Sequence, residues 1–464
     1  MAFGASHLPT KLRTFPLLLF AACLPVWSQS SASPNAPPGQ PAITVTLPDA
    51  VTRAEKYGTQ IQAADIVARL AHEDKVQARA ATLPSLNMLN QFIYTEGNGT
   101  SSGVFVSNDG VHVYNEQAVA HEELLSFLRR GEIRVAAAAE AVARAKVDVA
   151  TRGLKVTVVQ DYFGIAAAQR QAANTDRALN DARQFLDITQ KQEQGGEAAH
   201  SDVIKAQLQV EQRQRDLQDA GLAVLKAKVA LSVLIFPGLE LNYSIVDDAS
   251  NLGPLPPMPE AAARAYATSP DLRAANESVV QARQGVSVAK YAYLPSLGLD
   301  FFYGINANQF AARTGYASQE AGREALPDYL APYRQNLGYA AQATLTIPVW
   351  NWGSIHSKVK QASQRERQAE LDLTNTRRQL NANVTSGYQE AEVARSQVAS
   401  LRTSMGLADD SLRLTLLRYK AGEATALEVV DAQTTANQAR NAYDNGLVRY
   451  RIALLTLQTL TGNF

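Results

Sequence analysis

The chain has 464 residues, with 44 Lys+Arg against 44 Asp+Glu, and a single cysteine. A formal net charge of zero leaves no basic excess for phosphates, which argues against nucleic acid as a partner. One cysteine permits neither an internal disulfide nor a thiolate metal cluster, and no shift in composition divides the chain into unlike domains.

Residues 1–28 have the three parts of a secretory signal. Lys11 and Arg13 supply the charge, Phe15 to Leu24 the apolar run, and Val26 and Ser28 the small residues that predict a cut after Ser28. The run is too short to span a bilayer as a helix, so the chain is expected to be exported. Cys23 sits in Phe20-Ala21-Ala22-Cys23, similar to a bacterial lipoprotein box but with Phe20 in place of the usual Leu. Lipidation of Cys23 and its loss with the signal both remain open. Residues 29–46 read as a flexible leader, because QSSASPNAPPGQP carries too little apolar surface to fold.

From residue 47 one plan runs twice, over 47–250 and 251–464. Each copy opens with a helix rich in Ala, Gln and charge, expected at roughly 49–81 and 259–291, and closed by Leu83-Pro84-Ser85-Leu86 or Leu294-Pro295-Ser296-Leu297. Alternation follows. In 297–305, Leu297, Leu299, Phe301 and Tyr303 share one face, with Gly298, Asp300 and Phe302 on the other. A second strand over 339–347 ends before Pro348. Copy one offers 86–94 and a weaker strand near 111–120, since His121, Glu122 and Glu123 follow closely. The extra length of copy two is expected in the Gly/Ala-rich stretch 306–338.

Long Pro-free helical runs come next, 131–193 and 353–417, far longer than helices of ordinary globular domains. Each breaks at a Gly-Glu-Ala turn, Gly196-Glu197-Ala198 and Gly422-Glu423-Ala424. The returning helices hold a seven-residue period: Val203, Val210, Leu217, Val224 and Leu231 in one, Val429, Ala436, Tyr443, Tyr450 and Leu457 in the other. That period implies left-handed supercoiling.

No stretch beyond the signal is apolar enough for a membrane helix, so contact with a membrane would have to be made by strands. Two hairpins supply four strands per chain, too few to close a membrane barrel, and open edges are not viable in lipid. The barrel must therefore be shared between chains, and a lumen favours three copies or more.

The residues Leu345-Thr346-Ile347-Pro348-Val349-Trp350-Asn351-Trp352-Gly353, and Tyr419-Lys420-Ala421-Gly422 through Leu427-Glu428-Val429-Val430-Asp431-Ala432-Gln433, resemble the TolC family of outer-membrane efflux proteins over nearly all the mature chain. The resemblance implies a mixed α and β membrane protein with an internal two-fold repeat. It would be a homotrimer whose twelve-stranded barrel crosses the outer membrane and continues as a periplasmic helical coiled-coil barrel. Its implied function is the passive exit duct of an efflux pump or type I secretion system, with a periplasmic adaptor and an inner-membrane pump as partners. The repeated turns Gly196, Glu197, Gly422 and Glu423 would then be hairpin tips at the periplasmic mouth, with acids at Glu428 and Asp431 lining its constriction. Tyr419 and Asp202 match latch positions, although Ala424 stands where the best-studied members have an Arg.

Other readings stay beside these. Glu428 also completes a capping box with Thr425, Asp202 could cap its helix, and Tyr419 could be hairpin packing. No Gly-rich phosphate loop or His/Cys cluster is present, and His121-Glu122-Glu123 lacks the second His of a zinc protease. Neither an enzyme nor a metal or cofactor is expected. The competing class is a periplasmic coiled-coil scaffold without a barrel.

Overall fold

A computed structural model describes residues 43–94, 112–308 and 337–462. The expected signal peptide, Cys23 and most of the stretch 306–338 lie outside these residues.

The elements are β1 (Ile43–Val45), α1 (Leu47–Tyr57), α2 (Thr59–Ala80), β2 (Ser85–Tyr94), β3 (His112–Leu125), α3 (Phe127–Gln194), α4 (His200–Ile235), β4 (Tyr243–Ile245), α5 (Met258–Thr268), α6 (Pro270–Tyr291), β5 (Ser296–Asn308), β6 (Leu337–Thr346), α7 (Ser354–Lys420) and α8 (Ala426–Leu460). From α1 to α4, and again from α5 to α8, the order is two short helices, a hairpin, a long helix and a returning helix. Helix α3 has 68 residues, about 100 Å at ~1.5 Å per residue. It is never solitary along that length: α2 and α6 pack on it as well as α4 and α8, while α7 packs on α6 and α8.

Four expectations are corrected. The helix expected over 49–81 is two helices, because Gly58 is extended (φ −63°, ψ 113°). A Cβ there would lie 2.6 Å from Leu154 Cδ2 and 2.5 Å from Ala54 O, so the bend brings bare backbone against α3. The helix expected over 259–291 breaks at Ser269-Pro270, where Ser269 accepts from Leu272 N and Pro270 starts the next helix. Strand β3 runs through His121, Glu122 and Glu123 to Leu125. It can do so because His121 Nδ1 lies 2.6 Å from Asp300 Oδ1 on the neighbouring strand. Finally, Ile43–Val45, assigned to the leader, form β1 and pair in parallel with β4, Ile43 opposite Tyr243 and Val45 opposite Ile245.

The principal core lies at mid-length of α3. Leu154, Val158, Val159, Tyr162, Phe163 and Ile165 are buried there against α1, the end of α4, β4 and α8. Tyr162 ties the layers together: its hydroxyl donates to Val246 O (2.8 Å) and accepts from Val246 N (3.1 Å), with Val45 O also 3.2 Å away. Tyr243 Oη donates to Lys228 O while Lys228 Nζ donates to Tyr243 O. Arg170 joins Asp247 (2.6 Å) to Asp444 (3.2 Å), linking α3 to α8 through the β4 segment.

The expected heptad positions face inward. On α4, Val203 and Leu231 are buried and Val210, Leu217 and Val224 half-buried, with Ala206 and Ala220 buried beside them, while Ile204, Leu208 and Leu222 are exposed. On α8, Val429, Ala436, Tyr450 and Leu457 are buried and Tyr443 is half-buried, with Gly446 and Ala453 buried beside them. Among the described residues no helix is long and apolar enough to cross a membrane.

The hairpins form one antiparallel sheet in the order β2-β3-β5-β6. Its register puts Leu86 beside Ala120, Ala120 beside Phe301, and Phe301 beside Ala341. Period-2 alternation then gathers Leu86, Met88, Ala118, Ala120, Leu297, Leu299, Phe301, Tyr303, Tyr339 and Leu345 on one mainly apolar face, which also carries Asn90, Glu116 and Glu122. The opposite face carries Asn87, Gln91, Asn115, Gln117, His121, Asp300, Gln342 and Thr344 together with Leu89, Val119 and Phe302, and Asn115 is bonded to Gln91 at 3.1 Å. Leu86, Met88, Tyr303, Tyr339 and Leu345 are all exposed, and nothing among the described residues covers that face. β2 and β6 are open edges.

Candidate functional site at the helical hairpin ends

Both Gly-Glu-Ala turns close by the same backbone device. At the end of α3, Gly196 adopts φ 75°, Gly196 N donates to Glu193 O (2.9 Å) and Glu197 N to Gln192 O (2.8 Å). At the end of α7, Gly422 adopts φ 77°, Gly422 N donates to Tyr419 O (3.0 Å) and Glu423 N to Arg418 O (2.9 Å). These are two Schellman motifs, in which a left-handed residue lets the chain return to satisfy the last helical carbonyls, and glycine adopts that conformation without a Cβ penalty. The glycine therefore recurs because two helices have to stop in the same way.

The helices that start beyond the turns differ. Thr425 caps α8 in a reciprocal box: Glu428 N donates to Thr425 Oγ1 (3.3 Å) and Thr425 N to Glu428 Oε1 (3.1 Å). Those bonds, with the Arg418 guanidinium 3.5 Å from Glu428 Oε2, hold the Glu428 carboxyl below its ordinary value, the Thr425 backbone N–H contributing most. α4 has Ala199 at its cap and no side-chain bond there. Its first tip is joined instead by His200 Nδ1, 2.6 Å from Glu193 Oε1 across the turn. Thr425→Ala is expected to raise hydrogen-exchange rates of the first-turn amides of α8 roughly tenfold, with the α4 start unchanged in the same experiment.

Tyr419 and Asp202 do not meet within the chain. The Tyr419 side chain is buried with Phe185, Ala206, Ala426 and Val429, edge-on to Phe185 at 5.1 Å, and its hydroxyl donates to Thr189 Oγ1 at 3.2 Å. Asp202 accepts from Lys205 Nζ at 3.1 Å and caps nothing. Asp431 is exposed, one turn from Glu428 on the same face of α8, and its carboxylate has no partner among the described residues. Glu197 and Glu423 are exposed at the turns themselves.

Two participants escaped the sequence reading. Arg418 donates to Glu423 O (3.0 Å) besides facing Glu428, and Gln192 Nε2 donates to Tyr419 O (3.3 Å), joining one hairpin to the other. The signal for Gln192 is the spacing Phe185, Thr189, Gln192, one face of α3 running to its end.

Comparison with known proteins agrees with this architecture. The chain is 22% identical over 438 residues to the outer membrane efflux protein BepC of Brucella suis, covering 90% of this chain and 83% of that one. It is 22% identical over 436 residues to the alkaline protease secretion protein AprF of Pseudomonas aeruginosa, covering 91% and 85%. The crystal structure of the Campylobacter jejuni CmeC outer membrane channel superposes with a TM-score of 0.75 at 18% identity, covering 90% of this chain and 85% of that chain. Residues 51–235 and 261–463, one block in each half, match the outer membrane efflux protein family, and the chain belongs to that family.

Proposed function

We propose that three copies of this chain form the exit duct of a tripartite efflux or type I secretion assembly. The observation that carries the reading is the four-stranded sheet with one apolar face and two open edges. Three such sheets, β6 of one copy paired with β2 of the next, make a twelve-stranded barrel with lipid-facing apolar side chains and a polar lumen. The duplicated plan of the chain is then a repeat that supplies two hairpins and two helical pairs per copy. The helices of family members extend into the periplasm, and here they would continue the duct as a coiled-coil barrel. Energy and cargo selection would lie in an inner-membrane pump reached through a periplasmic adaptor. The relative named for alkaline protease secretion makes polypeptides one cargo class beside small molecules. A scaffold without a barrel would leave the exposed apolar sheet face without a role.

At the hairpin ends the negative ring rests mainly on Asp431. Glu428 is engaged by its cap and by Arg418, whereas no cation among the described residues pairs with Asp431, so symmetry would gather unneutralised carboxylates around the mouth. Detergent-solubilised protein should be a three-chain particle with a long tapered body, and planar bilayers should show cation-preferring conductance. Asp431→Asn is expected to lower the cation-to-anion permeability ratio roughly twofold or more, and Glu428→Gln to change it far less. A monomeric particle would overturn the duct, and an unchanged ratio in Asp431→Asn would overturn the ring.

A further inference from the structure

The register of the sheet sets four polar side chains in one row. Ser85 on β2 stands beside His121 on β3, His121 beside Asp300 on β5, and Asp300 beside Gln342 on β6. All four therefore share a face, the one that the proposed barrel turns toward its lumen. Ionisable groups on that face are confined to the end nearest the helices. Among the described residues of the four strands only His121, Asp300 and Glu123 can ionise there, and Glu123 is held by Arg129 at 3.3 Å. His121 Nδ1 lies 2.6 Å from Asp300 Oδ1, with the His121 side chain 45% and the Asp300 side chain 25% exposed. Gly298, diagonal to His121 across the two strands, leaves the edge of the imidazole uncovered, since even a Cβ there would lie only 3.6 Å from Cε1.

Two strands can be tied on this face without charge, as Asn115 and Gln91 are by their bond at 3.1 Å. A water-exposed His–Asp pair does something an amide pair cannot. With a neutral imidazole it carries one negative charge and with an imidazolium it carries none, and histidine is the side chain that changes charge between about pH 5 and 8. The neighbours do not mask that change. Ser85 and Gln342 flank the pair without charge, Arg129 is shared between Glu123 and Glu132 (3.2 Å), and Glu122 lies on the opposite face. We infer that His121 and Asp300 form a charge-selecting girdle at the end of the barrel nearest the helices. Asp300 supplies the charge that favours cations, and a proton on His121 cancels it. The inference rests on the three-chain duct, in which three such pairs would stand at one level, and adds a selective zone remote from the hairpin ends.

The test is the reversal potential across planar bilayers, in the Asp431→Asn background so that carboxylates at the hairpin ends do not dominate. Salt is kept near ~0.01 M, where the Debye length is about 30 Å and charges on a lumen wall are felt. Between about pH 7.5 and about pH 5.5 the cation-to-anion permeability ratio should fall roughly twofold. His121→Gln should keep the higher ratio and lose the pH step, and Asp300→Asn should hold the lower ratio at both pH values. The chain has 6 histidines, so the acid step alone decides nothing and its loss in His121→Gln carries the argument. Each variant is first shown to form the same three-chain particle as the parent, and either one suffices. A pH step that survives His121→Gln, or an unchanged ratio in Asp300→Asn, overturns the girdle alone and leaves the pair as a strut between strands. A parent that forms no three-chain particle overturns the duct and the girdle together.

Discussion

Tyr162→Ala should be among the most damaging single changes in this chain, lowering stability by about 3–5 kcal/mol. The ring fills the centre of the main core, and its hydroxyl joins α3 to the segments of both β1 and β4. Loss of the side chain opens a cavity where helices from both halves meet and frees the pair of short strands. Tyr162→Phe separates the two contributions, because it keeps the ring and leaves Val246 N–H without its acceptor, at about 1–3 kcal/mol. Thermal unfolding of the helical signal would measure both, and equal effects of the two variants would mean that packing there is unimportant.

The same residue predicts a pH limit. Burial pushes the Tyr162 and Tyr243 hydroxyls up to about 12, above the ordinary tyrosine value of about 10. A folded-state value above the unfolded one means that the contribution is fully present below pH ~10 and is lost as pH rises from there toward ~12. Alkaline unfolding should therefore begin near pH 10, and Tyr162→Phe should make the remaining loss shallower.

Tyr419→Ala is the second change of large effect, and its readout is local. The ring is the hub of the small core that holds the ends of α3 and α7 to the starts of α4 and α8, far along the helices from the main core. Removing it should cost about 3–5 kcal/mol of local packing, enough to let the hairpin ends separate while the body stays folded. The expected signature is higher basal conductance in bilayers and faster exchange at residues 185–206 and 416–430, with little change in global melting. Tyr419→Phe removes only the bond to Thr189 and should lie near the parent. If Phe conducts as freely as Ala, the hydroxyl has a second role in the assembled mouth, and Asp202 of a neighbouring copy becomes its natural partner.

Legibility followed the range of the interaction. Strands β2, β5 and β6 showed in the sequence because alternation over about ten residues is a local signal, and the long helices because nothing interrupts them. The strand pair β1–β4 left no trace, since three residues on each side, Ile43–Val45 and Tyr243–Ile245, pair across most of one half of the chain. His121-Glu122-Glu123 looked like the end of a strand because Asp300, which makes His121 tolerable there, is remote in sequence. The break at Pro270 is masked in the sequence by the polar, Ala-rich residues that flank it on both sides. At the hairpin ends Thr425 and Glu428 announced their cap locally, whereas the Tyr419 partnership with Thr189 spans the two hairpins and needed the fold.

The open edges of β2 and β6 have a kinetic meaning as well. A lone chain can complete its helical pairs and its core, yet its sheet keeps two rows of backbone donors and acceptors with no internal partner. In the proposed trimer, completing them would take encounters with other chains, so the last step of maturation would depend on protomer concentration and compete with any stray strand that arrives first. At low supply the half-finished chain waits with its edges open, and at excessive supply mispairing outruns closure. The yield of correctly finished protein should therefore pass through a maximum as synthesis rises, even though each chain carries everything needed to fold its own helices.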